Sequence, residues 1–264
     1  MIVALIDNGS VFAAAYRHLR AVAAALSQRT GTKVHAVSWK HSDRIPADEL
    51  GGTGAWVVAD FVRQMVALGQ REYLFVPFFV SAQGAIGSAL RDDLQALQAE
   101  LDRFEFTFTE GLAERGVIPI IAADRIRSTI TTHALARPRV IVVDHGGPSA
   151  ESARLRDELA AEIRSRLGDE VGPFAAASME GEHPPLLAAQ LGHEDFVRGS
   201  LVVAPLLLSP GRHAGPEGDI ARICRAAETD CHITELVGTH PLAVDALAEA
   251  LREHVSPLHA QPFA

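Results

Sequence analysis

The chain has 264 residues, of which 48% are apolar and 22% charged, and its formal net charge is −9. That length suits two domains of ordinary size with a core each, and the acidic balance excludes the concentrated basic face that nucleic acid requires. No segment has the length of a membrane span. The N-terminus MIVALIDNGS lacks the basic region and cleavage site of a signal peptide, and two cysteines are too few for a disulfide framework, so a reduced cytoplasmic protein is expected.

In chain order the pattern alternates. A strand over Ile2 to Ile6 leads into a helix over Val11 to Arg29, a strand over Lys33 to Trp39 and a helix over Gly54 to Leu68. Then come a strand over Tyr73 to Phe79, a helix over Ile86 to Phe104 and a strand over Val117 to Ile121. The stretch AADRIRSTITTHALARPR has weak periodicity and is expected to form a short connecting helix, and its Pro138 can stop a helix before the next strand. Strands follow over Arg139 to Val143, Phe174 to Ser178, Leu201 to Leu207 and His232 to Leu236. Between and after them lie helices over Ser149 to Leu167, Pro185 to Leu191, Glu217 to Glu228 and Pro241 to His254, and a loose tail begins at Ser256. The strands are continuously apolar, as in parallel sheets covered on both faces. Strand–helix alternation implies right-handed βαβ units. The expected fold is α/β: two tandem Rossmann-like domains related by a pseudo-twofold, each a parallel sheet of about four strands with helices on both faces. The division falls at 1–135 and 136–264.

The two halves repeat one another. VALIDNGSVFAAAYRHLRAVAAALSQRTG from Val3 matches VIVVDHGGPSAESARLRDELAAEIRSRLG from Val140, and YLFVPFFVSAQGAI from Tyr73 matches LVVAPLLLSPGRHAG from Leu201. Gly31 and Gly168 close matching helices, where a left-handed cap residue is favoured. Pro77 and Pro205 recur in matching strands, which places each strand near a sheet edge or at a bulge. The alignment sets Asn8 against His145 and Ala85 against His213, so both imidazoles fall in the second copy.

That asymmetry points to a site. In an open α/β sheet, ligands bind outside the carboxyl ends of the strands, where His145 and His213 both fall. If their strands are neighbours, the imidazoles face each other across a cleft. Gly146 and Gly147 allow a sharp turn and leave room for a flat ligand, and Gly211 and Gly215 bracket His213. The loop MEGEHPPL leaves the same edge, and a carboxylate there, Glu180 or Glu182, would complete a His/His/Glu set, although both acids are of a kind ordinarily solvated, Glu182 the more so, and His183 reads as structural. Imidazole and carboxylate suit divalent cobalt, iron, nickel or zinc. Cys224, Cys231 and His232 have the spacing of a partial metal site, but thiols near helix ends are ordinarily packing residues. His240 reads as a helix cap. The chain has no GxGxxG turn, P-loop or nucleophile elbow.

At these residues the chain resembles the class II tetrapyrrole chelatases, the CbiX group of sirohydrochlorin cobaltochelatases. The strand-and-turn VVDHGGPS resembles the family's first signature, and APLLLSPGRH followed by Asp219 resembles its second. MEGEHPPLLAAQL resembles its acidic loop, and ELVGTHPLAVDALAEAL its closing segment. The resemblance implies a chelatase-type fold and ATP-independent insertion of a divalent metal into sirohydrochlorin or a related tetrapyrrole. Cobalt is favoured, iron or nickel possible, and no further cofactor is needed. His145 and His213 would bind metal and accept protons, assisted by Glu180. Gly146, Gly147, Gly211 and Arg212 would line the substrate, with Arg154 a weaker candidate for its carboxylates. The partners implied are a tetrapyrrole and a metal ion, and the chain would act as a monomer or homodimer. A non-catalytic metal or tetrapyrrole carrier on the same fold is the competing reading.

Overall fold

The structure is a computed structural model that describes residues 1–81, 85–101, 103–147, 149–227 and 229–255. The tail from Ser256, part of the SAQGAI segment and Glu228 lie outside the described residues. The elements of the first half are β1 (Ile2–Asp7), α1 (Ala13–Thr30), β2 (Val34–Ser38), α2 (Val58–Ala67), β3 (Glu72–Pro77), α3 (Ala85–Glu100) and β4 (Glu105–Phe108). α4 (Val117–Thr132) leads to β5 (Arg139–Gly147), α5 (Ala150–Leu167), β6 (Phe174–Gly181), α6 (Leu187–Leu191), β7 (Ser200–Pro205), α7 (Asp219–Ala226), β8 (Asp230–Ile233) and α8 (Pro241–His254). Two four-stranded sheets result, ordered β2-β1-β3-β4 and β6-β5-β7-β8, with every ladder parallel. The fold is therefore the expected tandem α/β pair. Among the described residues no helix is long and apolar enough to cross a membrane.

Alternate strand residues serve different cores, which is why the strands read as unbroken apolar runs. Val3, Leu5, Leu74, Val76, Val140, Val142, Val202 and Ala204 point into one shared core with the buried faces of α1, α4, α5 and α8. Ala4, Ile6, Tyr73 and Phe75 instead meet α2 and α3, and Ile141, Val143, Leu201 and Val203 meet α6 and α7. The chain thus has a central core between its two sheets and an outer core on each far side, where composition suggested one core per domain.

Three expectations are corrected. Val117–Ile121 is the first turns of α4, not a strand. Its β-branched run VIPII looks extended, but left-handed Gly116 (φ 66°) starts a helix, and Pro119 falls in the first turn, where its missing N–H costs nothing. Ile118, Ile121, Ala122 and Ile126 then bury at helical spacing. The fourth strand of the first sheet is β4, a short edge segment of half-exposed alternation that directly follows a helical pattern and so escaped notice. Second, β7 and β3 are interior strands. Pro205 and Pro77 end them, and the next residues, Leu206 and Phe78, donate to Val143 and Ile6 of the central strands at 2.7 Å. Each proline nitrogen therefore faces the neighbouring edge strand past its last paired residue, where no donor is needed. Third, Gly31 takes the left-handed cap (φ 68°, ψ 4°), whereas Gly168 (φ 51°, ψ −129°) turns instead into a short 3₁₀ segment.

The repeat extends to backbone contacts. A Cβ on Gly9 (φ +87°) would lie 1.7 Å from the Lys40 carbonyl oxygen, and one on Gly146 (φ +79°) 1.8 Å from that of Glu180. Only glycine lets these turns close. Beneath them the halves differ. Asp144 accepts from Ser178 Oγ at 2.6 Å, and Ser178 Oγ accepts from the buried Arg156 at 2.8 Å. In the first half Leu19 aligns with Arg156, and Asp7 Oδ1 is buried with no hydrogen-bond partner among the described residues. Burial pushes the Asp7 carboxyl up to about 6, against weaker hydrogen bonds from Ser38 and the backbone.

Two outcomes are expected. Asp7 is harder to ionise folded than unfolded, so its contribution is most favourable below about pH 4 and is lost as pH rises towards 6. Asp7→Asn should gain up to about 3 kcal/mol over the parent between pH 4 and pH 7.5 in urea unfolding, and an equal gap at both pH values would refute the assignment. Gly146→Ala should cost about 3 kcal/mol or more of stability. Gly31→Ala, whose Cβ would meet nothing within 4 Å, should cost only about 1 kcal/mol. Equal losses would show that the contact with the Glu180 carbonyl is not limiting.

Candidate active site

β5 is the central strand that builds the site, because it pairs with β6 on one side and β7 on the other. Its ladder with β6 runs past the core to set Gly146 opposite Glu180 and Gly147 opposite Gly181. His145 therefore emerges beside Glu180. The loop after β7 brings back His213, whose carbonyl is bonded by the Ile220 N–H of α7 (3.2 Å). His145, Glu180 and His213 each place one ligand atom within 4.8 Å of the others, and they are the only such group of metal-capable side chains among the described residues. The two imidazoles meet edge to face at 4.8 Å between ring centres, and His145 Nε2 lies 3.7 Å from Glu180 Oε1.

His145 Nδ1 has a hydrogen-bond partner, whereas His213 Nδ1 has a close carboxylate neighbour without hydrogen-bond geometry. His145 Nδ1 lies 3.1 Å from the Gly146 carbonyl oxygen, and His213 Nδ1 lies 2.8 Å from Asp219 Oδ2. A carbonyl or carboxylate at Nδ1 favours the tautomer that leaves Nε2 as the free lone pair, the arrangement that orients imidazole towards a metal. Burial, then the neighbouring His145, holds the His213 imidazole below its ordinary value against the opposing pull of Asp219 and Glu180, so His213 keeps its lone pair into mild acid. Asp219 is held by Arg222 at Oδ1 and by Arg212 Nε at Oδ2 (3.4 Å). Desolvation lifts its carboxyl, but Arg222 and His213 together keep it below the ordinary range.

The other candidates fall as follows. Gly147 pairs with Gly181 beside the turn, and the Gly211 N–H donates to the Ala214 carbonyl in the His213 loop (3.2 Å). Arg212 is exposed beside the triad, whereas Arg154 pairs with Glu158 along α5 (3.9 Å). Glu182 and His183 are not part of the triad. Cys224, Cys231 and His232 form no metal-capable group among the described residues; Cys224 packs in the outer core, and His232 Nε2 lies 3.1 Å from Asp230. His240 caps α8 by accepting from the Leu242 N–H.

Sequence reasoning missed Asp219 as the partner of His213 and Arg222 as the partner of Asp219; the i, i+3 spacing on α7 was the available signal for the second. It also missed the third substitution in the first half. The matched glycine contacts put Lys40 where the second half has Glu180, so the first turn holds Asn8 and Lys40 in place of a ligand and an acid. Lys40 lies over the Trp39 ring (4.0 Å) and pairs with Asp93 (3.1 Å).

A family model, CbiX, matches residues 139–254. A search of curated protein sequences finds no match. Among solved structures, SirB from Bacillus subtilis with Fe3+ has a TM-score of 0.68 at 13% identity, covering 97% of this chain and 96% of that one. CbiX, described as the terminal enzyme for biosynthesis of siroheme in denitrifying bacteria, has a TM-score of 0.69 at 17% identity over 96% and 99% of the two chains. The sirohydrochlorin chelatase SirB from Bacillus subtilis subspecies spizizenii in complex with cobalt gives 0.65 at 15% identity over 96% and 95%. At such identities the structures establish a common fold along the whole chain, while the sequence match rests on the half that carries the histidines. Residues 139–254 of this chain thus match the CbiX family model, and the whole chain shares the two-domain fold of the SirB and CbiX structures.

Proposed function

We propose that the protein inserts a divalent metal, with cobalt favoured, into sirohydrochlorin or a related tetrapyrrole. The observation that carries this reading is the His145–Glu180–His213 group at the open edge of the second sheet. Its nitrogen and oxygen donors suit cobalt, iron or nickel, and the absence of thiolate leaves an ion exchangeable. Insertion exchanges two pyrrole N–H protons for one M2+, so the site must deliver an ion and take up two protons. The Nε2 lone pairs of His145 and His213 serve both tasks: they hold the ion first and accept protons once the pyrrole nitrogens have captured it. Glu180 balances the charge of the incoming ion. Asp219 is a positioning residue that keeps His213 in its tautomer. Arg212 is assigned to a peripheral carboxylate of the substrate. We assign the catalytic unit to residues 136–264 and the reaction to the cytoplasm, by a monomer or homodimer with no other cofactor.

A carrier without turnover is the second reading, favoured by the first half, which keeps the fold with Asn8 and Lys40 in the site. Steady-state insertion of cobalt into sirohydrochlorin separates the two. His145→Ala and His213→Ala should each lower kcat/KM by about 100-fold or more. Asp219→Asn should lower it by about 10–100-fold, as expected for a partner of a metal-binding imidazole. Tight binding of both substrates without turnover in the parent would establish the carrier instead.

A further inference from the structure

The chain has two cysteines, and the fold brings them together. α7 runs back along the second sheet, so its last turn adjoins the first residues of β8, the next strand. Cys224 lies in that last turn, on the buried face with Ile220 and Ala221. Cys231 is the second residue of β8 and pairs in register with Leu201 of β7. Leu201 points into the outer core, and strand residues paired in register share a face of the sheet, so Cys231 points the same way. Both thiols therefore meet one outer core, Cys224 within it and Cys231 packed against it. β8 is the edge strand of its sheet, and Cys231 is half-buried where Cys224 is 5% exposed.

The pair is short of metal ligands. His232 follows Cys231, but alternation turns it to the other face: it pairs in register with Val202 of the central core, and its ring meets His133 at 4.3 Å. No third His, Cys, Asp or Glu joins the two thiols in a metal-capable group among the described residues. The thiols act on each other instead. Cys231, then burial, raises the Cys224 thiol, whereas Cys224 holds the Cys231 thiol below its ordinary value against burial. Cys231 thus supplies a thiolate at the sheet edge and Cys224 a protonated thiol behind it, the arrangement of an attacking and a resolving cysteine.

We propose that Cys224 and Cys231 form a redox modification site, at which a hydroperoxide closes a reversible disulfide between α7 and β8. The Cys231 thiolate attacks the outer oxygen of the peroxide. The O–O bond breaks, the alkoxide leaves and takes up a proton, and Cys231 becomes a sulfenic acid. The Cys224 sulfur then attacks the Cys231 sulfur, the S–O bond breaks, and hydroxide leaves as water with the Cys224 proton. Two thiols and one hydroperoxide give one disulfide, one alcohol and one water, and two electrons pass from sulfur to oxygen. The new bond pins the end of α7, the helix whose first residue, Asp219, stands 2.8 Å from His213 Nδ1. Neither thiol belongs to the metal-capable group, so the modification is separable from metal insertion.

The test uses the full chain, fully reduced and then exposed to a small excess of tert-butyl hydroperoxide without metal. The parent should lose both free thiols by thiol titration and about 2 Da of mass per chain, and regain them with dithiothreitol. Cys231→Ser should oxidise at least about 10-fold more slowly, and Cys224→Ser should stop at a Cys231 sulfenic acid that dimedone traps. A parent that keeps both thiols under this treatment, or loses them through links between chains, overturns the proposal. So does a Cys231→Ser chain that oxidises as fast as the parent. The thiol count and mass of the parent decide the matter even where a serine variant fails to fold.

Discussion

Parallel pairing of β5 with both β6 and β7 is the constraint on which the site depends. Parallel strands end together, so one ladder on each side of β5 is enough to bring three chain segments to one edge. The β5–β6 ladder then continues beyond the core through Gly146, where the backbone of Glu180 comes too close for any side chain. That approach draws the Glu180 carboxylate to His145. His213 arrives from the other side and is braced by α7 through its carbonyl and through Asp219. The donors are set by ladders and a helix start, and free loops contribute little to their placement.

The halves show what this scaffold requires and what it merely permits. Both keep the glycine that closes the turn, the strand-ending proline and the acid below the turn. They differ in the metal-capable side chains, with Asn8 and Lys40 in the first half where the second has His145 and Glu180. The second half stabilises its buried acid with Ser178 and Arg156; the first, with Leu19 at the matching place, leaves Asp7 difficult to ionise. Lys40, paired with Asp93, stands where the second half has Glu180, so the first turn offers no carboxylate ligand at that place. The fold therefore does not depend on the chemistry, and one copy is free to serve another purpose while the other retains the donors.

The central core explains why the two copies act as one body. α4 packs against α5 and α8, and α8 packs in turn against α1. Each helix that closes a half thus lies between the sheets, where its apolar face is covered from both sides. Ion pairs cross the same junction: Arg29–Asp245, which is partly exposed and adds little stability, and Arg115–Glu253, whose arginine is largely covered. Ser10 Oγ comes within 3.9 Å of where a Cβ on Gly211 would sit, because the central helices fix the two sheets relative to one another.

Much of this was legible in the sequence. Unbroken apolar strands, a repeated strand–turn–helix and an imbalance of histidines determined the α/β class, the duplication and the edge on which the metal-capable residues lie, because those signals are local or compare one segment with another. Val117–Ile121 was misread because β-branched runs serve buried helices and strands alike, and only the left-handed Gly116 and the packing of α4 decide between them. The equivalence of Lys40 with Glu180 and the approach of Ser10 to Gly211 join residues of different copies, and the pairing of Asp219 with His213 depends on how the loop after β7 folds back on α7. Distance and direction in space exist only once sheets and helices have packed, so tertiary structure alone chose which acid braces the imidazole and which turn faces it.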